Sequence, residues 1–367
     1  MVTIKDIAKE AKVSAGTVDR VLHNRGGVSL KTEAKIKKIL KEKNFKINLI
    51  ASSLAMKKHY KLATLMPQYD DDNIFWKSPF SGLQKASQEV NAYGIETINF
   101  TFDQFDPKSY MEAFKELIQT EPDGVVMIPV FNRETASIID VLKQKNIPYL
   151  FFNVNLKGFD NLCFIGQKSF EGGLLSGQLL DLCSQPGDEL LVVLTRKNIF
   201  NYEANHQRLK GFFNYFEKNK RAVKIHQLQF DNLTRPDEVR KKINGYLKIF
   251  PKIRGIMVPS SRVSNIAELI EEKQLNGLKV IGFDTTPRNV SALKKGGITF
   301  LISQKSFNQG YKSIITMSNY LVHREIPPAE IPTPLEIITK ENIDFSQYDR
   351  KNYSNDVREE QLQKQPH

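Results

Sequence analysis

Near the N-terminus, apolar residues recur at spacings of three and four. Ile4, Ile7, Ala8 and Ala11 fall on one face of a predicted helix from Thr3 to Lys12. Thr3 with Asp6 three residues on matches a capping box, in which each side chain serves free amides of the first turn. Ser14 reads as the N-cap of a second helix with Val18, Val21 and Leu22 on its buried face. Asn24-Arg25-Gly26-Gly27 breaks the pattern. Ser29 caps a third helix that turns Ala34, Ile36, Ile39 and Leu40 inward and Lys35, Lys37, Lys38, Lys41 and Lys43 outward. Two short helices joined at Lys12-Val13, closed by a third, describe a helix-turn-helix unit.

From Lys61 the period changes to short apolar runs separated by helical stretches. Ten strands are predicted, at 62–66, 95–100, 124–128, 148–152, 162–165, 189–194, 222–229, 255–258, 279–283 and 299–302. Such alternation implies parallel sheets with helices on both faces, and ten strands imply two lobes. Ile165-Gly166-Gln167-Lys168-Ser169-Phe170 returns as Ile302-Ser303-Gln304-Lys305-Ser306-Phe307. Each copy ends a strand and opens a helix, with Gly172 or Gly173 answering Gly310. The alternative is chance similarity of a six-residue string. Strand C-terminal ends of this kind are where open α/β sheets bind ligands.

Charge sharpens the division. Of a net +12, residues 1–58 contribute +9, with 14 Lys/Arg against five Asp/Glu, so the remaining 309 carry +3. A basic head on a near-neutral body points to a polyanion-binding module joined to something else. At 40% hydrophobic and 26% charged residues, the 367-residue composition is ordinary globular usage. No apolar run approaches the ~18 residues of a membrane span, and the N-terminus lacks an apolar signal-peptide core. Two cysteines, Cys163 and Cys183, make neither a disulfide framework nor a zinc-ligand set. The expectation is a reduced cytoplasmic protein.

On the second helix Ala15, Gly16, Asp19 and Arg20 face outward. Small residues at 15 and 16 allow close approach to base edges, and Arg20 can grip guanine bidentately or contact phosphate only. TIKDIAKEAKVSAGTVDRVLHN followed by VSLKTEAKIKKILKEKNF closely resembles the DNA-binding head of the LacI/GalR family of bacterial transcription regulators. The resemblance implies base reading by Ala15, Gly16 and Arg20 and backbone contacts near Thr3, Ser14, Thr17, His23, Ser29 and Thr32. Asp19 departs from the family's small hydroxyl residue; it accepts from cytosine or orients Arg20. Asn48 to Met56 resembles the family's hinge helix, which implies minor-groove roles for Asn48, Ala51 and Leu54, with Leu54 as the wedge at a central base step. Ile47 stands where the family has proline. The other reading packs Leu49, Ile50 and Leu54 on the body.

Residues 60–340 resemble the periplasmic-binding-protein-like effector domain of that family. The implied fold is an all-α helix-turn-helix head followed by a type I, two-lobed α/β domain with parallel sheets. The implied organisation is a head at 1–46, hinge helix and linker at 47–59, two-lobed effector and dimerisation domain at 60–343 and a polar tail at 344–367. Lobe crossings are expected near 154–161, 284–292 and 322–334. Candidate effector contacts are Asn73, Phe75, Trp76, Asn132, Arg133, Arg208, Ser260, Asp284 and Gln304. Aromatic rings stack on the apolar face of a pyranose while amides and carboxylates fix its hydroxyls; Phe75 and Trp76 read equally well as core, and Arg208 as half of a surface salt bridge. Ser260-Ser261 and Gln167 stand where relatives carry acids or amides.

These readings converge on a DNA-binding regulator, a dimer on a near-palindromic operator, under control of a sugar-like molecule between the lobes. A solute-binding transport protein would share the body without the head. Catalytic signatures are absent: no G-x-S-x-G, Walker loop, H-E-x-x-H or G-x-G-x-x-G occurs, and the six histidines are scattered. The sequence asks for no cofactor, no metal and no membrane.

Overall fold

A computed structural model describes residues 4–22, 26–43, 59–196, 203–231 and 233–346. Three helices form the head: α1 (Ile4–Ala11), α2 (Ala15–Leu22) and α3 (Leu30–Glu42). Ile7, Ala8, Ala11, Val18, Val21, Ile36 and Ile39 make its core. Ala34, expected inside, is exposed, because the face of α3 that enters the head's core is the one carrying Ile36 and Ile39. The turn after α1 is a Schellman closure, with Val13 N–H donating to Ala8 O and Lys12 N–H to Lys9 O. Lys12 occupies the left-handed position (φ +56°), where glycine is usual. Ser14 Oγ accepts from Thr17 N–H at 3.1 Å and Ser29 Oγ from Thr32 N–H at 3.3 Å, fixing the starts of α2 and α3. Lys35 Nζ donates to Ala11 O at 2.9 Å, placing a cation on the C-terminal end of α1.

The body holds two six-stranded sheets. In chain order the strands are β1 (Tyr60–Pro67), β2 (Ile95–Phe102), β3 (Gly124–Met127), β4 (Tyr149–Phe152), β5 (Phe164–Gly166), β6 (Glu189–Leu194), β7 (Ile225–Gln229), β8 (Ile253–Met257), β9 (Lys279–Phe283), β10 (Phe300–Ser303), β11 (Glu330–Pro332) and β12 (Glu336–Ile338). The first sheet runs β11-β5-β4-β3-β1-β2, all parallel. The second runs β12-β10-β9-β8-β6-β7, parallel except for β12. Setting β11 and β12 aside, the two orders superpose strand for strand. Inner strands are continuous apolar runs, as parallel strands buried on both faces require. Alternate residues feed opposite cores: Leu62 and Met66 pack on one side of the first sheet, Ala63 and Leu65 on the other. Leu190, Val192 and Leu194 oppose Leu191 and Val193 in the second.

The last of the three expected crossings is where it was placed, around Thr333 within 322–334, but the other two are not. Segment 154–161 leads from β4 back to β5 in the same sheet, and 284–292 leads from β9 to β10 in the other. The crossings fall at 167–168, at 304–305 and between β11 and β12, around Thr333. The first two coincide with the six-residue repeat. After each, a helix enters the opposite lobe: Ser169–Cys183 packs on Glu203–Lys218, and Ser306–His323 on Lys77–Asn91. Both pairs meet backbone to backbone through reciprocal glycines. A Cβ on Gly173 would lie 2.0 Å from Arg208 O and one on Gly211 2.0 Å from Phe170 O; Gly310 faces Pro79 O and Gly82 faces Phe307 O, each at 2.1 Å.

Candidate functional site

Two surfaces bear on function. The first is the outer face of α2, where Ser14, Ala15, Gly16 and Arg20 are exposed and Thr17 is half-buried. Ser14 and Thr17 hydroxyls bond each other at 2.9 Å, as do those of Ser29 and Thr32 at the start of α3. A Cβ on Gly27 would sit 3.3 Å from Arg20 Nη1, so the loop before α3 passes beside the guanidinium. Asp19 lies on the same helix. Thr3, His23, Asn48, Ala51 and Leu54 lie outside the described residues.

The second is a cavity of about 590 Å³ between the lobes, at the C-terminal ends of the strands. Of the candidate contacts, Asn73, Phe75, Trp76, Asn132, Arg208, Ser260, Asp284 and Gln304 line it. Arg133 does not. It is exposed on the first turn of the Asn132–Gln144 helix, one residue and about 100° of helical rotation from Asn132. Trp76 serves both core and cavity: it is 6% exposed, packs in the first lobe, and donates Nε1–H to Gln104 Oε1 at 2.9 Å. Phe75 meets it edge-on at 4.8 Å between ring centres.

The cavity floor is a buried polar network spanning both lobes and two crossings. Gln304 Nε2 donates to Asp284 Oδ1 at 2.7 Å. Asn153 Nδ2 donates to Gln309 Oε1 at 2.8 Å and, more weakly, to Gln304 Oε1 at 3.4 Å. Gln309 Nε2 reaches Gln304 O at 2.9 Å and Thr333 Oγ1 at 3.2 Å. Asn153 and Asp284 follow equivalent strands, β4 and β9, and both adopt left-handed backbone (φ +64° and +69°), which Asn and Asp tolerate better than other side chains. Asn289 Nδ2 holds the loop after β9 through the carbonyls of Phe283, Asp284 and Ser261 at 2.8 to 3.0 Å.

Arg208 is 3% exposed, which removes the surface salt-bridge reading. Its Nη1 donates to Pro259 O at 2.8 Å and its guanidinium lies 3.8 Å above the centre of the Phe283 ring. Burial lowers its pKa to about 10, against a smaller opposing effect of Asp284. At the cavity mouth Arg196, from the second lobe, stacks 3.8 Å above Phe105 of the first.

The chain matches the sequence profiles of two families: bacterial regulatory proteins of the lacI family over residues 3–48, and the periplasmic binding protein domain over residues 63–325. The chain belongs to the lacI family of bacterial regulatory proteins. As a lacI-family protein it is a DNA-binding transcriptional regulator. It is 27% identical to the ribose operon repressor of Halalkalibacterium halodurans over 296 residues, 78% of this chain and 81% of that protein. Similarity to catabolite control protein A of Staphylococcus aureus is 29% over 156 residues, 42% of this chain and 45% of the other. Among solved structures, one described as a LacI transcriptional regulator from Bacteroides fragilis aligns with a TM-score of 0.71 at 26% identity, covering 78% of this chain and 99% of that one. GanP, a glucose-galactose binding protein from Geobacillus stearothermophilus, shares the fold at a TM-score of 0.66 and 20% identity, over 78% of this chain and 99% of that one.

Several lining residues of this lacI-family cleft escaped the sequence reading, among them Gln104, Phe105, Asn153, Arg196, Glu203 and Arg262. Asn153 had a signal available: it follows β4 as Asp284 follows β9. Arg196 and Glu203 flank residues outside the described set, and nothing in their local pattern marks them. Among the described residues no group of His, Cys, Asp and Glu could hold a metal ion, and no helix is long and apolar enough to cross a membrane.

Proposed function

We propose that the regulator binds a near-palindromic operator as a dimer and represses transcription, and that a sugar or sugar derivative between the lobes controls its affinity for DNA. One observation carries the effector reading. Arg208, Asp284, Gln304 and Asn153 converge on one buried floor, drawn from both lobes and a lobe crossing, beside an aromatic wall of Phe75, Trp76 and Phe105. Polar groups fixed this way suit ring hydroxyls, and the aromatic wall suits the apolar face of the ring. The names of similar proteins, a ribose operon repressor and a glucose-galactose binding protein, support the same class. A ligand shared by both lobes and a crossing differs in affinity between open and closed states, which control of DNA binding requires.

For the head, the exposed face of α2 supports base reading by Ala15, Gly16 and Arg20, with Ser14, Thr17, Ser29 and Thr32 toward the backbone. Asp19, Thr3, His23, Asn48, Ala51 and Leu54 complete the proposed DNA contacts on family resemblance. A thermal-shift screen of the full chain against mono- and disaccharides, polyols and sugar phosphates tests the cleft. A ligand at about a hundredfold its Kd adds ~2.7 kcal/mol, and Asp284→Ala should abolish the shift. A hit that survives both Asp284→Ala and Arg208→Ala overturns the cleft assignment.

A further inference from the structure

Resting on the reading of the cleft as an effector site, we infer that the effector carries an anionic group, a carboxylate or a phosphate, seated against Arg208. The two walls of the cavity differ in kind. The first lobe supplies Phe75, Phe105, Phe131, Asn73 and Asn132, with Glu134 on the first turn of its helix. The second lobe supplies Arg196, Arg208 and Arg262, with the hydroxyls of Thr195, Ser260 and Ser261 between them. Its two acids are engaged by neutral amides: Asp284 Oδ1 accepts from Gln304 at 2.7 Å, and Glu203 Oε1 from Gln207 Nε2 at 2.6 Å.

Arg208 is the decisive residue. It is 97% buried, and its Nε–H has no hydrogen-bond partner among the described residues. Its one hydrogen bond goes to a carbonyl, Pro259 O, and the Asp284 carboxylate acts on it through space as the smaller, opposing effect, without a hydrogen bond between them. Burying a cation whose counter-charge is only partial and not hydrogen-bonded is costly; stacking on Phe283 offsets part of that cost, since a ring face attracts a guanidinium without neutralising it. The depressed pKa of about 10 expresses the same deficit, with desolvation as its main cause. A neutral hydroxyl could accept from Nε but would leave the charge unmatched. A carboxylate or phosphate answers both needs, because its oxygens fit the planar guanidinium fork. The ligand is then two-sided, a ring against the aromatic wall and an anion against the arginine wall.

The chain's single tryptophan, Trp76, lines this cavity, so its emission comes from one position at the cavity wall. Trp76 emission and melting temperature of the full-length protein are measured with matched probes: D-glucose, D-glucuronate and D-glucose 6-phosphate; D-ribose and D-ribose 5-phosphate; and inorganic phosphate. The expected result is an anionic member binding about 10- to 100-fold tighter than its neutral parent, the gain of a charge-assisted bond. Glucuronate against the phosphates identifies which anion is read. Arg208→Gln should erase the preference. Arg262→Gln, at a half-buried position, should reduce it, and keeps the test decisive if the buried variant fails to fold. A neutral parent binding as tightly as its anionic partner overturns the anion while leaving the effector site standing. Anion binding indifferent to both variants places the anion elsewhere and overturns the inference. Silence from every probe by both readouts overturns the effector reading with it.

Discussion

The helix pairs that follow each lobe crossing touch through glycine, and a matched pair of alanine substitutions isolates what that contact is worth. Gly310, in the Ser306–His323 helix, would place a Cβ 2.1 Å from Pro79 O, with Pro79 C and Leu83 N at 3.0 and 3.1 Å. These are backbone atoms, so no rotamer change relieves the overlap; the Lys77–Asn91 helix must move outward by about an ångström. Overpacking of this kind costs ~1–3 kcal/mol, and an immovable neighbour puts it at the upper end. Alanine also returns ~1 kcal/mol of helix propensity, so Gly310→Ala should lose about 2 kcal/mol net. Gly245, inside the Pro236–Ile249 helix, has nothing within 4 Å of its ideal Cβ. Gly245→Ala therefore gains the same ~1 kcal/mol with no penalty. For a domain of this size 1 kcal/mol moves the melting temperature by roughly 2 °C. Calorimetry should place Gly310→Ala about 4 °C below the parent and Gly245→Ala about 2 °C above it. Gly173→Ala should behave as Gly310→Ala, since its Cβ would stand 2.0 Å from Arg208 O. If Gly310→Ala melts with Gly245→Ala, the close helix contact is not a constraint and the reasoning fails.

Other perturbations probe the head and the second lobe. Arg20→Ala should weaken operator binding by roughly 1–3 kcal/mol and relax one base preference; equal losses on specific and random DNA would reduce Arg20 to a phosphate contact. Lys12→Gly should stabilise the head by about 1 kcal/mol in a denaturant melt, because glycine adopts φ +56° without the side-chain penalty. Glu189 is held below the ordinary carboxylate range, first by its hydrogen bond to His226 and then by Lys224 and Lys252. A depressed carboxyl stabilises the fold above its unfolded pKa of about 4.3, and that contribution is lost as pH falls through the lower folded value. Glu189→Gln should therefore flatten the acid limb of the stability–pH curve below that point and leave its neutral limb unchanged in slope.

All ten strands predicted from the pattern are present, because a strand buried on both faces announces itself as an uninterrupted apolar run between turn residues. Val125-Val126-Met127 and Leu190 to Leu194 are such runs. Strands β11 and β12 were not foreseen. Each is three residues long, each carries a glutamate, and β11 ends at Pro332. Neither has a period to read; they pair because the chain's last crossing lays them on sheet edges already built. Two of the three crossings were misplaced for a related reason. Polar loops such as 154–161 look like linkers in composition, whereas Gln167-Lys168 and Gln304-Lys305 cross in two residues, too few for composition to mark.

The repeated string did mark them, and its two copies show where such a signal stops. Gln304 and Gln167 stand at equivalent crossings, and both are 3% exposed. At the second crossing Asp284, Asn153 and Gln309 all converge on Gln304. At the first, Gly172 stands where Gln309 stands in the other copy, and neither amide atom of Gln167 has a partner among the described residues. The string therefore locates both hinges, but the binding floor exists at only one, because its hydrogen bonds come from residues that the fold, and not the local sequence, brings there. Exchanging the copies tests this division. Gln304→Leu should loosen the floor and weaken effector binding read by Trp76 emission. Gln167→Leu removes a buried, unpartnered amide and should leave that affinity unchanged while raising stability, since a buried polar group without a partner costs about 1–3 kcal/mol. Equal losses of effector affinity in the two variants would mean that both crossings bind.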